Sequence, residues 1–276
     1  MKENPETIAR TVAALALTVR IRSAMDGLRT TWLLLAFLVL LLSGPLWTLA
    51  FGSVSMRGDW RTATHRATGL APDPTSHQEA VVQIYASRTF GWRGAFAVHT
   101  WLAAKPAGAD RYTRYEVIGW YALRGGSALS ISDHGAPDAE WYGAPPRLLR
   151  DVRGADAQAI IDRLPRAAAS YPYASSYTMW PGPNSNTFLA HLGREIPELH
   201  LTLPTTAIGK DYLPAGQFWA RTPSWTGYQM SVSGLFGVAA GRDEGLELNV
   251  LGLVIGLDFR HPAIKLPGIG NVPGDG

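Results

Sequence analysis

The longest apolar run of the sequence extends from Trp32 to Phe51 and reads WLLLAFLVLLLSGPLWTLAF. No formally charged residue lies between Arg29 and Arg57. A helix over this run would rise about 30 Å, which is the thickness of the hydrocarbon core of a bilayer. Tryptophan lies near both ends of the run, as is typical of residues at a membrane–water interface. The pattern predicts a transmembrane anchor over residues 32–51.

Two other interpretations of this run stay open on the sequence alone. A helix buried in a soluble core would have to be apolar on all its sides. A cleaved signal peptide agrees with the small residues around Thr48 and Ala50. The polar leader, residues 1–31, is however longer than the usual segment that precedes a signal sequence. We therefore expect an uncleaved anchor.

The basic residues that flank the anchor predict its orientation. Positive charge is in excess on the N-terminal side, which predicts that the leader lies in the cytoplasm and the large C-terminal part lies on the other side of the membrane. The leader has the pattern of an amphipathic helix on an anionic membrane surface, and a solvated helix or a disordered arm is the alternative. The flanking residues are Lys2, Arg10, Arg20, Arg22 and Arg29 before the anchor, and Arg57, Arg61 and Arg66 after it.

The rest of the sequence predicts a linker and one α+β domain with an antiparallel sheet. Residues 52–78 are polar and broken by glycine and proline, which is typical of a linker, and residues 79–276 suffice for one domain. The predicted strands are Glu79–Phe90, Arg93–Lys105, Arg111–Leu123 and Ala128–Asp133, with a closing hairpin of Tyr228–Val238 and Leu246–Phe259. The predicted helices are Asp156–Leu164, ended by Pro165, and Ser185–Leu192, capped by Gly193.

The composition removes several classes of function. The sequence contains no cysteine, so disulfides, zinc–thiolate sites and a cysteine nucleophile are excluded. The sequence has no block rich in lysine and arginine, so we expect no nucleic-acid partner. The sequence has no HExxH motif and no carboxylate cluster with metal-ligand spacing, and its glycine pairs lack the GxGxxG context of a nucleotide-binding loop. We therefore expect no cofactor.

Ser185 is the first candidate for chemistry. It follows Pro181-Gly-Pro-Asn184 at the start of a predicted helix, where the free backbone amides and the helix dipole favour a developing negative charge. The alternative is that Ser185 or Asn184 only caps the helix.

His99 is the second candidate, in the middle of a predicted strand beside Trp101. If the hairpin turn is centred near residues 107 and 108, Glu116 lies opposite His99 and Arg114 lies opposite Trp101. A carboxylate across the strand pair would orient the imidazole and raise its basicity, as the third member of a hydrolytic triad does. A slip of the register by one or two residues stays open, and a slip of one would place Tyr115 or Val117 opposite His99. A histidine buried in the core is the alternative.

The segment Asn184-Ser185-Asn186-Thr187-Phe188, downstream of the histidine strand, resembles the Asn-Cys-x-x-Phe motif of the circularly permuted papain-like (NlpC/P60-type) hydrolases. Over most of its length the sequence also resembles an uncharacterised bacterial membrane family, domain of unknown function 3750, whose hallmark is Gly-Pro-Asn-Ser-Asn-Thr-Phe. The papain-like resemblance implies a permuted papain-like fold. Serine in place of cysteine implies either a stronger base or a domain that only binds.

Together with the bacterial family resemblance, these features predict a single-pass protein of the bacterial inner membrane whose C-terminal domain faces the periplasm. It would be a hydrolase or acyltransferase that acts on amide or ester bonds in the cell envelope. Ser185 would be the nucleophile, His99 the general base and Glu116 its orienting partner. The expected partners are the inner-membrane bilayer and a small-molecule, peptide or lipid substrate. The alternatives are a non-catalytic ligand-binding or scaffolding domain and a structural subunit of a membrane complex. The residues predicted to bind substrate are Tyr171, Tyr173, Tyr177, Trp180, Asn184, Asn186 and Trp101.

Overall fold

The computed structural model describes residues 5–52, 54 and 61–274, and for residues 5–19 the course of the backbone alone. Helix α1, Pro5–Phe51, contains both the predicted anchor and most of the predicted leader. Its part Arg20–Phe51 is long and apolar enough to cross a membrane. The chain divides into two compact units, and the boundary along the sequence lies between Ser43 and Gly44.

The second unit contains a five-stranded antiparallel sheet in the order β4-β3-β2-β1-β5. Every residue of β2 is buried, because both faces of the sheet are covered. Buried side chains of β1 and β2 alternate between two separate clusters, one on each face. The strands are β1 Val81–Arg88, β2 Val98–Lys105, β3 Thr113–Val117, β4 Leu129–Ser132 and β5 Arg147–Arg153.

Two helices cover one face of this sheet. Helix α3, Gly154–Ala169, and helix α4, Ser185–Glu195, bury Leu164 and Phe188 in the cluster that holds Leu102 of β2. A short helix α2, Gly119–Leu123, follows β3, and single turns of 3-10 helix lie at Gly91–Ala95 and Pro197–Leu199. The opposite face packs Tyr85, Trp101 and Tyr112 under residues from the surrounding loops.

Several predicted boundaries are wrong, each for a local reason. The third predicted strand ends at Val117 and continues as α2, because its second half pairs with no neighbour. Helix α3 runs through Pro165 to Ala169, and α4 runs through Gly193 to Glu195. Gly193 serves close packing, since a Cβ there would lie 2.8 Å from the Pro223 carbonyl oxygen. Strand β5 was not predicted.

The predicted hairpin register is wrong by two residues. Arg114 pairs with Ala103, whereas the prediction placed it opposite Trp101. The turn is longer than the sequence pattern indicates, because β2 ends at Lys105 and β3 begins only at Thr113. A shift of two residues keeps every side chain on its predicted face of the sheet.

The predicted linker, residues 52–78, lies partly outside the described residues. From residue 61 onwards it packs on the domain. The Thr64 hydroxyl donates to the Glu140 carboxylate, and the Leu70 amide donates to Asp138 Oδ2 at 2.7 Å. The Tyr112 hydroxyl also donates to the Pro72 carbonyl at 3.2 Å.

A second antiparallel sheet contains seven strands in the order β12-β11-β10-β9-β8-β7-β6. The two runs predicted to pair as one hairpin each fold back on themselves. The second turns at Leu251-Gly252, where both φ angles are positive (55° and 81°), the signature of a type I′ turn. The strands are β6 Trp219–Arg221, β7 Gly227–Val232, β8 Phe236–Gly241, β9 Gly245–Val250, β10 Leu253–Asp258, β11 Ala263–Leu266 and β12 Gly270–Val272.

The inner face of the seven-stranded sheet contains a buried ionic cluster. The Glu247 carboxylate accepts from Lys265 Nζ at 2.8 Å and also from Lys210 Nζ. Burial alone would raise the pKa of Glu247, but the two ammonium groups outweigh it and hold that pKa below its ordinary value. Because Lys210 lies in the loop after α4, the cluster ties this loop to the seven-stranded sheet.

We expect Glu247→Gln to lower the free energy of unfolding by about 3 kcal/mol, since it leaves the buried Lys265 ammonium without its carboxylate and Lys210 with Asp211 alone, at 3.6 Å. The measurement is thermal or urea unfolding followed by tryptophan fluorescence. Glu198→Gln is the matched control, because the Arg163–Glu198 pair is half exposed and should contribute less than about 1 kcal/mol. Equal losses in the two variants would contradict this assignment.

Candidate functional site

The N-terminus of α4 is held by its own cap. Asn184 Oδ1 accepts from the amides of Asn186 (2.9 Å) and Thr187 (3.3 Å), and the Thr187 hydroxyl accepts from the Asn184 amide at 3.1 Å. Gly209 has φ +100°, and a Cβ there would lie 2.5 Å from the Asn184 side chain, so this cap requires glycine. Asn184 therefore satisfies the helix end, and Ser185 is not needed for capping.

Asn186 locks α4 onto the five-stranded sheet. Its amide nitrogen Nδ2 donates to the carbonyls of Val98 (3.0 Å) and Ile208 (2.8 Å), and its Oδ1 accepts from the Thr100 hydroxyl at 2.9 Å. The amide oxygen and the amide nitrogen of Asn186 therefore both have hydrogen-bond partners in the core. These hydrogen bonds and the surrounding packing fix the position of the side chain.

Ser185, by contrast, has an unused hydroxyl. Among the described residues neither its Oγ nor its backbone amide has a hydrogen-bond partner. The residue is 6% exposed and lies at the wall of a cavity. A hydroxyl and an amide at the first position of a helix can together hold a small negative charge.

His99 and Glu116 are in contact, as the sequence predicts. His99 Nε2 lies 3.0 Å from Glu116 Oε2, and Arg114 Nη2 donates to the same oxygen at 3.1 Å. An ionised carboxylate only accepts, so Nε2 carries the proton and Nδ1 keeps a free lone pair. The contact survives the error in register because His99 and Glu116 stay on one face of the sheet.

Burial and neighbouring charges act in opposite directions on both members of this pair. Burial lowers the pKa of His99 below its ordinary value, against the opposing effect of the Glu116 carboxylate. Burial would also raise the pKa of Glu116, but the hydrogen bond from His99 and the charge of Arg114 outweigh it and lower that pKa. At neutral pH the pair therefore consists of a neutral imidazole and an ionised carboxylate. A neutral imidazole can accept a proton, so His99 can act as a base.

Ser185 and His99 reach the cavity from opposite faces of the sheet. Thr100 bonds to α4, so by strand alternation His99 and Trp101 lie on the other face. The Trp141 ring stacks on His99 with centroids 3.6 Å apart. No hydrogen bond joins Ser185 and His99 in this structure, although both line one cavity near the beginning of β2.

The cavity has a volume of about 1100 Å³ and mostly apolar walls. It is large enough for a small organic molecule or a lipid chain. Of the residues predicted to bind substrate, Tyr177, Trp180, Asn184 and Asn186 line it. Sequence reasoning missed much of the remaining wall, including Trp92, Phe96, Trp120, Trp141, Tyr142 and Leu253.

The other predicted binding residues lie outside this cavity. Tyr171 packs edge-on against Phe188 in the core, with ring centroids 5.1 Å apart. The Tyr173 hydroxyl accepts from the Ala215 amide at 3.1 Å. Trp101 is fully buried and donates from Nε1 to the Pro137 carbonyl at 2.7 Å. These three side chains support the site rather than lining it.

The described part of the chain contains no group of three or more histidine, aspartate or glutamate residues placed to hold a metal ion.

One family model matches part of this chain. Residues 79–212 match the family described as "Protein of unknown function (DUF3750)". The matched segment contains the five-stranded sheet, α4, Ser185 and the His99–Glu116 pair, but ends before the seven-stranded sheet. No curated protein and no solved structure matches the chain.

We expect the pKa of His99 to lie below the ordinary histidine value, and Glu116→Gln to lower it further. The physical reason is that the carboxylate favours the protonated imidazole, while burial opposes it. The measurement is a pH titration of the histidine ring signals by NMR. The ring signals of His191 on α4, whose pKa burial also lowers, serve as the control and should not respond to Glu116→Gln. A rise in the His99 pKa would contradict the assigned contact.

Proposed function

We propose that this protein is a serine-dependent hydrolase or acyltransferase of the cell envelope, acting on an amide or ester bond. The observation that carries the proposal is the convergence of three features on one cavity. These are the unused hydroxyl of Ser185 at a helix N-terminus, the neutral His99 held by Glu116, and the apolar walls. The permuted papain-like arrangement and the periplasmic placement of the domain belong to the same proposal.

The proposed reaction follows from the atoms available. Ser185 Oγ attacks the carbonyl carbon, and His99 Nδ1 accepts the hydroxyl proton. The Ser185 amide and the end of α4 stabilise the oxyanion. The bond to the leaving alcohol or amine then breaks, and the leaving group takes the proton from His99. Water, or a second alcohol or amine, then attacks the acyl-serine and gives its proton to His99 Nδ1. The bond between the acyl carbon and Ser185 Oγ breaks, and Oγ takes the proton back from His99, which completes hydrolysis or acyl transfer.

The reaction requires His99 and Ser185 to approach each other when substrate is bound. Catalytic hydrogen bonds are often long or absent in a free enzyme and tighten in the complex with substrate. Trp141, which stacks on the imidazole, and α2, which lines the cavity through Trp120, are the elements whose displacement would allow this approach.

Reaction of the full-length protein with an alkyl fluorophosphonate tests the nucleophile directly. We expect a single adduct on Ser185, detected by mass spectrometry of the peptide. His99→Ala should slow the labelling about 100-fold or more, because it removes the general base. Ser176→Ala, in the neighbouring exposed loop, is the control and should label at the normal rate. Labelling that is unchanged by His99→Ala would overturn the catalytic assignment.

The absence of cysteine allows a second test of the same site. In Ser185→Cys the new thiol is the only one in the chain. An ordinary thiol has a pKa of about 8.5, and a helix N-terminus lowers that value. We expect Ser185→Cys to be alkylated at pH 6 faster than Ser176→Cys, and His99→Ala to remove the difference.

A non-catalytic ligand-binding domain is the second candidate. The observation that favours it is the placement of His99 and Ser185 on opposite faces of the sheet with no hydrogen bond between them. In that case an environment-sensitive apolar probe would bind in the cavity with equal affinity before and after Ser185→Ala. Trp120→Ala would weaken the binding, and the fluorophosphonate would not react.

A further inference from the structure

The seven-stranded sheet has an inverted distribution of polarity. Its buried face is polar and carries Gln229, Glu247, Asn249 and Lys265. Its outward positions are almost entirely apolar. Along β7 and β9 buried and exposed residues alternate strictly, and the exposed ones are the apolar ones. The outward side chains are Trp219, Tyr228, Met230, Val232, Phe236, Val238, Leu246, Leu248, Leu257, Ile264 and Val272.

The strand register makes these side chains one continuous surface. Met230 pairs with Val238, Val238 with Leu248, and Leu257 with both Leu246 and Ile264. Seven strands at about 4.8 Å spacing and about 20 Å length give a footprint of roughly 600 Å². An exposed apolar patch of this size marks a surface that another apolar body covers. We name this surface the apolar sheet face.

We propose that the apolar sheet face rests on the lipid bilayer that α1 enters. The end of α1 is attached to this sheet. The Thr48 hydroxyl in the last turns of the helix donates to the carbonyl of Gly268, between β11 and β12, at 3.2 Å. Arg88 of the five-stranded sheet donates to the same carbonyl at 2.6 Å. Because the segment Arg20–Phe51 is apolar enough to cross a membrane, a sheet fixed to its end lies at the membrane surface.

Two features of the apolar sheet face distinguish lipid from a protein partner. Its aromatic residues include Trp219 and Tyr228, which are stacked with centroids 4.9 Å apart, and such rings favour the membrane interface. The second feature is that three arginine residues lie around this face. Arg221 lies over the Tyr228 ring at 4.1 Å. Arg242 and Arg260 line a pocket of about 430 Å³ beside Phe259, where they share the single carboxylate of Asp243 at 3.2 and 2.8 Å and leave a net positive charge. Guanidinium groups at the rim suit anionic lipid headgroups.

The surface also continues into the cavity of the candidate site. Leu253 begins β10 on the outward side of the sheet and lines the cavity, as does the neighbouring turn residue Leu251. An apolar molecule would therefore meet apolar side chains along the whole path from the bilayer to Ser185. Docking on the bilayer does not depend on catalysis, so the two proposals can fail separately.

Single-cysteine labelling of the otherwise cysteine-free full chain tests the docking. Leu248→Cys and Met230→Cys place an environment-sensitive fluorophore on the apolar sheet face, and Ala159→Cys places it on the exposed side of α3. The protein is reconstituted in vesicles that contain phosphatidylglycerol, and co-flotation checks insertion of α1. We expect the labels at 230 and 248 to be shielded from aqueous iodide and quenched by spin-labelled lipids, while the label at 159 shows neither effect.

The outcomes separate the possible occupants. Labels at 230 and 248 that iodide quenches as strongly as the label at 159 would overturn the proposal. Shielding from iodide without quenching by lipid would also overturn it, because a second copy or another protein would then cover the face. Val238→Asp combined with Leu248→Asp should expose the label at 230 to iodide, with unchanged circular dichroism, since both side chains point outward. Val238→Cys replaces Leu248→Cys if the latter does not fold.

Discussion

The hydrogen bonds of Asn184 and Asn186 are the interaction on which the architecture of the second unit depends. Asn186 joins α4 to Val98 and Thr100 of β2, and both asparagines donate to the carbonyl of Ile208. The next residues of that loop lead to Lys210, which enters the ionic cluster under the seven-stranded sheet. A short polar network thus connects one helix, two sheets and the wall of the cavity. Its members are buried, so each unmet hydrogen bond would be costly.

This network also explains why Ser185 has a free hydroxyl. Asn184 and Thr187 cap the helix, and Asn186 attaches it to the five-stranded sheet. Ser185 lies between these residues, where the helix end meets the cavity. Its side chain makes no hydrogen bond to any described residue. A nucleophile benefits from such an arrangement, because its neighbours fix its position while leaving its oxygen available. The same arrangement suits a polar anchor for a bound ligand.

How far the sequence predicts the site depends on the range of the interactions. The alternation of a strand and the start of a helix are local, so the His99–Glu116 contact and the position of Ser185 were predictable. The register was not, because the length of the turn after Lys105 depends on packing of Tyr112 and the preceding loop. Trp92, Trp120 and Trp141 reach the cavity from three separate segments, and no local pattern relates them. The same holds for the turn at Leu251-Gly252, which lacks the usual Asn-Gly signal.

The sequence by itself determined the long apolar helix, the α+β composition, the cap of α4 and the faces on which His99 and Glu116 lie. Each of these follows from residue spacing within one element or one hairpin. Only the tertiary structure decided that α4 covers the face opposite His99, and that the seven-stranded sheet turns its polar side inward. An alternating strand specifies two different faces but not which one is buried. That choice depends on distant partners, here Lys210 and Arg194, whose charges bond to the polar face and leave the apolar one outside.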